Sequence, residues 1–128
     1  MITVLVVEDS LTQMEIFAHC LQQAGLTVIG ANSGEDAQTA LSKQKPDLVI
    51  VDVILPGLSG FELCRELKAD PNTSQIPVVI CSNKDTNVDR IWGNMLGADA
   101  YLSKPVVEKD LLQVVQELIL TKKSKFMS

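Results

Sequence analysis

The chain has 128 residues, a formal net charge of −5 and an apolar fraction of 46%. That length supports one domain with a core of its own, and the acidic balance argues against nucleic acid as a partner. No segment approaches the roughly 20 apolar residues of a membrane span, so no membrane insertion is expected.

The amino terminus opens directly on a strand pattern, without the charged, apolar and small-residue succession of a signal peptide. Thr3–Val7 reads as the first strand, and its run Val4-Leu5-Val6-Val7 ends in the acids Glu8 and Asp9. Ser10 or Asp9 caps the helix that follows. In that helix Met14, Phe17, Ala18 and Leu21 fall at i, i+3, i+4 and i+7, one apolar face at helical period. Gly25 stops it. His19, with no Cys or His neighbour at metal spacing, reads as a helix-surface residue. Leu26–Gly30 is a short second strand. Ser33-Gly34-Glu35-Asp36 opens a second helix in the manner of a capping box, and Pro46 closes it.

Asp47–Asp52 is the third strand. Its run Leu48-Val49-Ile50-Val51 reads as buried on both faces, and it again ends in acid. Pro56, Gly57, Ser59 and Gly60 mark a loop, and Ser59-x-x-Glu62 starts a helix running to about Lys68. After the polar stretch 70–74, Pro77–Cys81 is the fourth strand. Val88, Ile91, Trp92 and Met95 mark one face of a fourth helix, which Gly97 ends. Ala100–Ser103 is the fifth strand. A last helix carries Leu111, Leu112, Val115, Leu118 and Ile119 on one face, and Lys122-Lys123 suit its negative end. Residues 1–123 form the domain, and 124–128 read as a C-terminal tail. Cys20, Cys64 and Cys81 each lie within apolar patterns and read as reduced core residues of a cytoplasmic protein.

The alternation is (βα)5, an α/β doubly wound fold. Short βα units imply right-handed crossovers and a parallel sheet covered on both sides. All five strands then bring their carboxyl ends to one edge, where such sheets bind ligands. Glu8-Asp9, Asp52, Ser82 and Lys104 stand at those ends. Gathered acids raise one another's pKa unless a cation lies among them, and a hard ion such as Mg2+ resolves this with few carboxylates and several waters. A phosphoryl group on Asp52 would use the whole set. Asp52 is the nucleophile of an acyl phosphate. Mg2+ held by Asp9 and Asp52 spreads the developing charge. Lys104 neutralises a phosphoryl oxygen, and the Ser82 hydroxyl donates to another.

Together these residues resemble the receiver domains of two-component response regulators, with the fold of CheY. The resemblance spans about residues 2–120. It rests on Val7-Glu8-Asp9-Ser10, on Asp52 with Pro56-Gly57 and Gly60, on Pro77-Val78-Val79 and Ser82, and on Gly97-Ala98 with Tyr101-Leu102-Ser103-Lys104-Pro105. It implies a five-stranded parallel sheet in the order 2-1-3-4-5. It implies Asp52 as phosphoacceptor for a histidine kinase, and Mg2+ on Asp9, Asp52, the Ile54 backbone carbonyl and, through water, Glu8. Lys104 would contact the phosphoryl group, with a cis peptide before Pro105. It further implies a switch in which Ser82 moves toward the phosphoryl group and Tyr101 rotates inward, repacking the face of helix four, strand five and helix five, where Trp92 lies.

Lys84-Asp85-Thr86 and Asp89-Arg90-Ile91-Trp92-Gly93, together with Thr12-Gln13, are similar to the stand-alone receivers of type IV pilus and phototaxis systems. That likeness implies a downstream motility protein as partner, and a monomer or a weak phosphorylation-dependent dimer. No catalytic or DNA-binding output segment is expected, so the chain is not an enzyme beyond its own phosphorylation and dephosphorylation. Ser82 stands where many relatives have Thr and keeps the hydroxyl. Asn83 and Lys84 also depart from the common pattern and are expected to tune the acyl-phosphate lifetime.

Four alternatives differ in chemistry. A phosphate sink within the phosphorelay would share the acceptor site, and a phosphorylation-independent interaction domain would not need it. A haloacid-dehalogenase-type phosphatase wants a second acid two residues after the nucleophile, where this chain has Ile54. A flavodoxin-like cofactor binder wants a Gly-rich phosphate loop after strand one, which is not found.

Overall fold

A computed structural model describes the backbone of residues 1–127 and the side chains of 1–121. The short apolar runs become strands β1 (Thr3–Val7), β2 (Thr27–Ala31), β3 (Leu48–Val51), β4 (Val78–Ser82) and β5 (Ala100–Ser103). They form one parallel sheet in the order β2-β1-β3-β4-β5. Helices α1 (Leu11–Gln23), α2 (Gly34–Lys43), α3 (Gly60–Ala69), α4 (Asn87–Met95) and α5 (Glu108–Met127) alternate with them. Strand β2 begins and ends one residue later than the hydrophobic run suggests, and β4 is shifted likewise.

Helices α1 to α4 each begin where a short polar side chain takes an otherwise orphaned N–H. Ser10, rather than Asp9, caps α1 by accepting from the Gln13 amide at 3.3 Å. Ser33 and Ser59 do the same for Asp36 and Glu62. Gly25 and Gly97, just beyond α1 and α4, have φ of 86° and 99°, a region that favours glycine.

Residues of the central strands alternate between two cores, as the period of a pleated strand requires. Val4, Val6, Leu48, Ile50, Val79 and Cys81 meet Phe17 and Leu21 of α1 and Leu111, Val115 and Ile119 of α5. Leu5, Val7, Val49, Val51, Val78 and Ile80 meet Ala37 of α2 and Leu63, Cys64 and Leu67 of α3. All three cysteines are buried and unbridged, and His19 is exposed.

Helix α4 is the exception. Its apolar face of Val88, Ile91, Trp92 and Met95 is turned outward, with Trp92 46% exposed, while Asp89 and Gly93 face the protein. Helix α5 reaches Met127. Of the tail expected over 124–128, Ser128 and the side chains lie outside the described residues, as do the side chains of Lys122 and Lys123. Among the described residues no helix is long and apolar enough to cross a membrane.

Candidate functional site

Register builds the site. Val7 pairs with Val51 and Ser82 with Ser103, so Glu8 and Asp52 emerge side by side while Lys104 follows next to Ser82. Backbone bonds extend the ladder one residue past the strands. The Asp52 amide donates to Val7 O at 3.1 Å, the Glu8 amide to Ala31 O at 2.9 Å and the Lys104 amide to Ser82 O at 3.1 Å. The three side chains thus leave a rigid edge, which fixes them better than a loop would.

Lys104 draws the acids together. Its ammonium donates to Asp52 Oδ2 at 2.7 Å and to Glu8 Oε1. The three side chains are buried, to 6% exposure for Lys104, 9% for Asp52 and 2% for Glu8. Burial alone would lower the lysine pKa. The hydrogen bonds and charges of Asp52 and Glu8 outweigh it and raise the pKa above the usual lysine value. The other carboxylate oxygens are also engaged: Glu8 Oε2 accepts the Ser10 amide at 3.1 Å, and Asp52 Oδ1 accepts the Ile54 amide at 3.2 Å. The last bond folds the β3–α3 loop back over Asp52. Gly60 completes that fold, because a Cβ there would overlap the Asp52 carbonyl.

Asp9 is exposed beside this group. Among the described residues, no three His, Cys, Asp or Glu side chains are disposed as a ready-made metal cage; the expected ligand set has only two direct carboxylates, Asp9 and Asp52, with a backbone carbonyl and water beside them. Its chemistry nevertheless suits Mg2+. The donors are all oxygen, and the carboxylates Glu8, Asp9 and Asp52 outnumber the one ammonium among them. A divalent cation resting on Asp9, Asp52 and the Ile54 carbonyl would balance that excess, with water completing the shell.

Ser82 is fully buried, and its Oγ accepts the Lys84 amide at 3.2 Å. Tyr101 is half-buried, its hydroxyl donating to the Lys84 carbonyl. Burial and the nearby Asp89 carboxylate push its phenol up to about 12. The Lys104–Pro105 peptide is cis, as expected.

Two residues at this end of the sheet, named in the sequence only as part of the pilus-receiver likeness, have structural roles that it did not assign. Asp89 closes a reciprocal capping box with Thr86 and pairs with Lys84 Nζ at 3.0 Å. Hydrogen bonds from Thr86 and Lys84 hold its carboxyl below the usual range. The signal was present as Thr86-x-x-Asp89, a capping pattern with the shorter acid. Arg90 reaches Tyr101 and Ser103, and no local pattern announces that.

A doubly wound sheet of order 2-1-3-4-5, with acid at two adjacent strand ends and a lysine between them, defines a CheY-like protein. Residues 4–116 match the model of the response regulator receiver domain. The chain is 40% identical over 119 residues to Protein PilH of Pseudomonas aeruginosa, spanning 93% of this chain and 98% of PilH. Its structure resembles chemotaxis protein CheY4 of Vibrio cholerae with a TM-score of 0.86 at 29% identity, over 92% of this chain and 98% of the other. It also resembles a response regulator receiver domain protein of Clostridium thermocellum with a TM-score of 0.88 at 29% identity, over 96% and 98%. The chain belongs to the response regulator receiver domain family.

Proposed function

We propose that this receiver takes a phosphoryl group from a histidine kinase onto Asp52 and uses it to set the face formed by α4, β5 and α5. The observation that carries this reading is the Lys104 ammonium held 2.7 Å from Asp52 Oδ2 at the buried carboxyl edge of the sheet.

Asp52 attacks phosphorus in line with the leaving imidazole nitrogen of the kinase. The O–P bond forms as the P–N bond breaks, and the departing histidine keeps the electron pair. Bound at Asp9, Asp52 and the Ile54 carbonyl, Mg2+ would supply charge neutralisation at the phosphoryl oxygens. Lys104 holds Asp52 oriented and exchanges one carboxylate contact for a phosphoryl oxygen as charge develops there. The Ile54 amide keeps the carboxylate plane fixed. Ser82, once its hydroxyl leaves the Lys84 amide, donates to a further oxygen.

The output is a protein–protein contact on the outward apolar face of α4, with Trp92 and Tyr101 on it. The likeness to type IV pilus and phototaxis receivers, joined by the 40% identity to PilH, favours a motility partner. It also favours a cytoplasmic, non-enzymatic signalling role and a monomer or weak phosphorylation-dependent dimer. Draining phosphate from a shared kinase would use the same site with no output partner.

The test is intact-mass detection of phosphoryl uptake from acetyl phosphate. Wild-type protein gains one phosphoryl mass with Mg2+ and loses the gain with a chelator, and Asp52→Asn gains none. Uptake by Asp52→Asn at the wild-type rate would refute the assignment, and no uptake by wild type would favour the phosphorylation-independent interaction domain.

A further inference from the structure

Tyr101 is the only tyrosine of the chain, and α4 grips it at both ends. At the ring end, its hydroxyl rests on the Lys84 carbonyl. Lys84 is itself fixed to α4, its ammonium lying 3.0 Å from Asp89 Oδ1. The other Asp89 oxygen accepts the Thr86 amide at 3.1 Å and the Thr86 hydroxyl at 2.7 Å. At the backbone end, Arg90 Nη1 donates to the Tyr101 carbonyl at 3.1 Å and Nη2 to Ser103 Oγ at 2.5 Å. The same guanidinium lies 5.2 Å from the Tyr101 ring centroid, within cation–π range. Beneath the ring is Gly93, where a Cβ would lie 3.0 Å from Tyr101 Cδ2 and 3.1 Å from Ile80 Cδ1.

We propose that the consecutive α4 residues Asp89 and Arg90 form a two-point clamp on Tyr101, with Arg90 as the positioning residue that makes α4 and β5 move as one body. Three features support it. A guanidinium is a planar fork that can serve two acceptors at once and still lie against a ring, which an ammonium cannot do. β5 is an edge strand, so this grip on its carbonyl and on Ser103 comes from a helix instead of a further strand. Lys84 joins the clamp to the site, because its amide is the donor to Ser82 Oγ at 3.2 Å. Drawing the Ser82 hydroxyl toward Asp52 takes one bond from the Lys84 amide, while the Lys84–Asp89 pair keeps that residue on α4. Ring, loop and α4 then change together, and the apolar face carrying Trp92 is displaced as a unit.

The proposal deepens the reading of the α4–β5–α5 face as the output surface and rests on it for its consequence. The test uses the full chain grown with fluorotyrosine, which gives one fluorine resonance, from Tyr101. In wild type that resonance stands away from free fluorotyrosine. Arg90→Ala shifts it toward the free value. Ser103→Ala, which removes a single anchor, shifts it less in the same direction, and Arg90→Lys fails to restore the wild-type position. Arg90 and Ser103 lie outside both cores, and circular dichroism reports separately that the fold is kept. An Arg90→Ala resonance that coincides with wild type overturns the clamp, as does full restoration by lysine. The signal is read without any phosphodonor, so it judges the clamp by itself. Phosphoryl uptake by the same variants, expected unchanged, judges the receiver reading.

Discussion

Replacing Lys104 by alanine removes the ammonium that joins Glu8 to Asp52. Both carboxylates stay buried, at 2% and 9% side-chain exposure. Breaking a buried ion pair from one side is destabilising by about 3–5 kcal/mol, since the remaining charge is left uncompensated. This site opens toward solvent through the exposed Asp9, so the lower end, about 3 kcal/mol, applies. With a urea m-value of about 1.5 kcal/mol/M for a small domain, that loss moves the unfolding midpoint down by about 2 M. One further signature separates this cause from lost packing. Mg2+ should restore more stability to the variant than it adds to wild type, because it supplies the missing positive charge. Urea titrations followed by circular dichroism, with and without Mg2+, measure it. A midpoint within error of wild type, or one equally insensitive to Mg2+ in the two proteins, would refute the reasoning.

Other perturbations test other parts of the account. Gly60→Ala forces a Cβ into the Asp52 carbonyl and Val53 Cα, backbone atoms that cannot swing aside; it should cost about 1–3 kcal/mol by chemical denaturation and slow phosphoryl uptake. Above neutral pH, Tyr101 and Lys104 act in the same direction. Each has its folded pKa raised, to about 12 for the phenol and above the usual lysine value of 10.5 for the ammonium. Each therefore holds its proton more tightly folded than unfolded. Their contribution is complete below the ordinary values and is lost as pH rises through the folded ones. The urea midpoint should accordingly fall as pH is raised beyond about 10, the ordinary tyrosine value. Burial pushes the Cys64 thiol up to about 11 and that of Cys81 up to about 12. Both should resist a thiol reagent in native protein and react once urea unfolds it.

Most of the fold was legible because its signals are local. Apolar runs of four or five residues, each bounded by glycine, proline or a serine cap, leave few choices but short buried strands and capped helices. The site was legible because strand ends in a parallel sheet converge whatever the loops do, so Glu8, Asp52, Ser82 and Lys104 could be grouped before any geometry was known. Three features were not legible. Periodicity finds the apolar face of α4 but does not say what covers it; the small Gly93 and the capping Asp89 are what meet the sheet, and Val88, Ile91, Trp92 and Met95 are left outside. The expectation that Glu8 acts mainly through water at a metal did not reveal its direct pairing with Lys104, a contact between residues 96 positions apart. The grip of Arg90 on Tyr101 depends on how far α4 lies over β5, which side-chain volumes set and residue spacing does not.

The central claim is that Asp52 carries the phosphoryl group, and chemical trapping tests it most directly. Wild-type protein is incubated with acetyl phosphate and Mg2+ and then reduced with borohydride, which converts an acyl phosphate on aspartate to homoserine. Tandem mass spectrometry of the peptides should then find homoserine at position 52 and aspartate retained at position 9. Homoserine at position 9, or phosphoryl uptake that leaves position 52 as aspartate, would contradict the account.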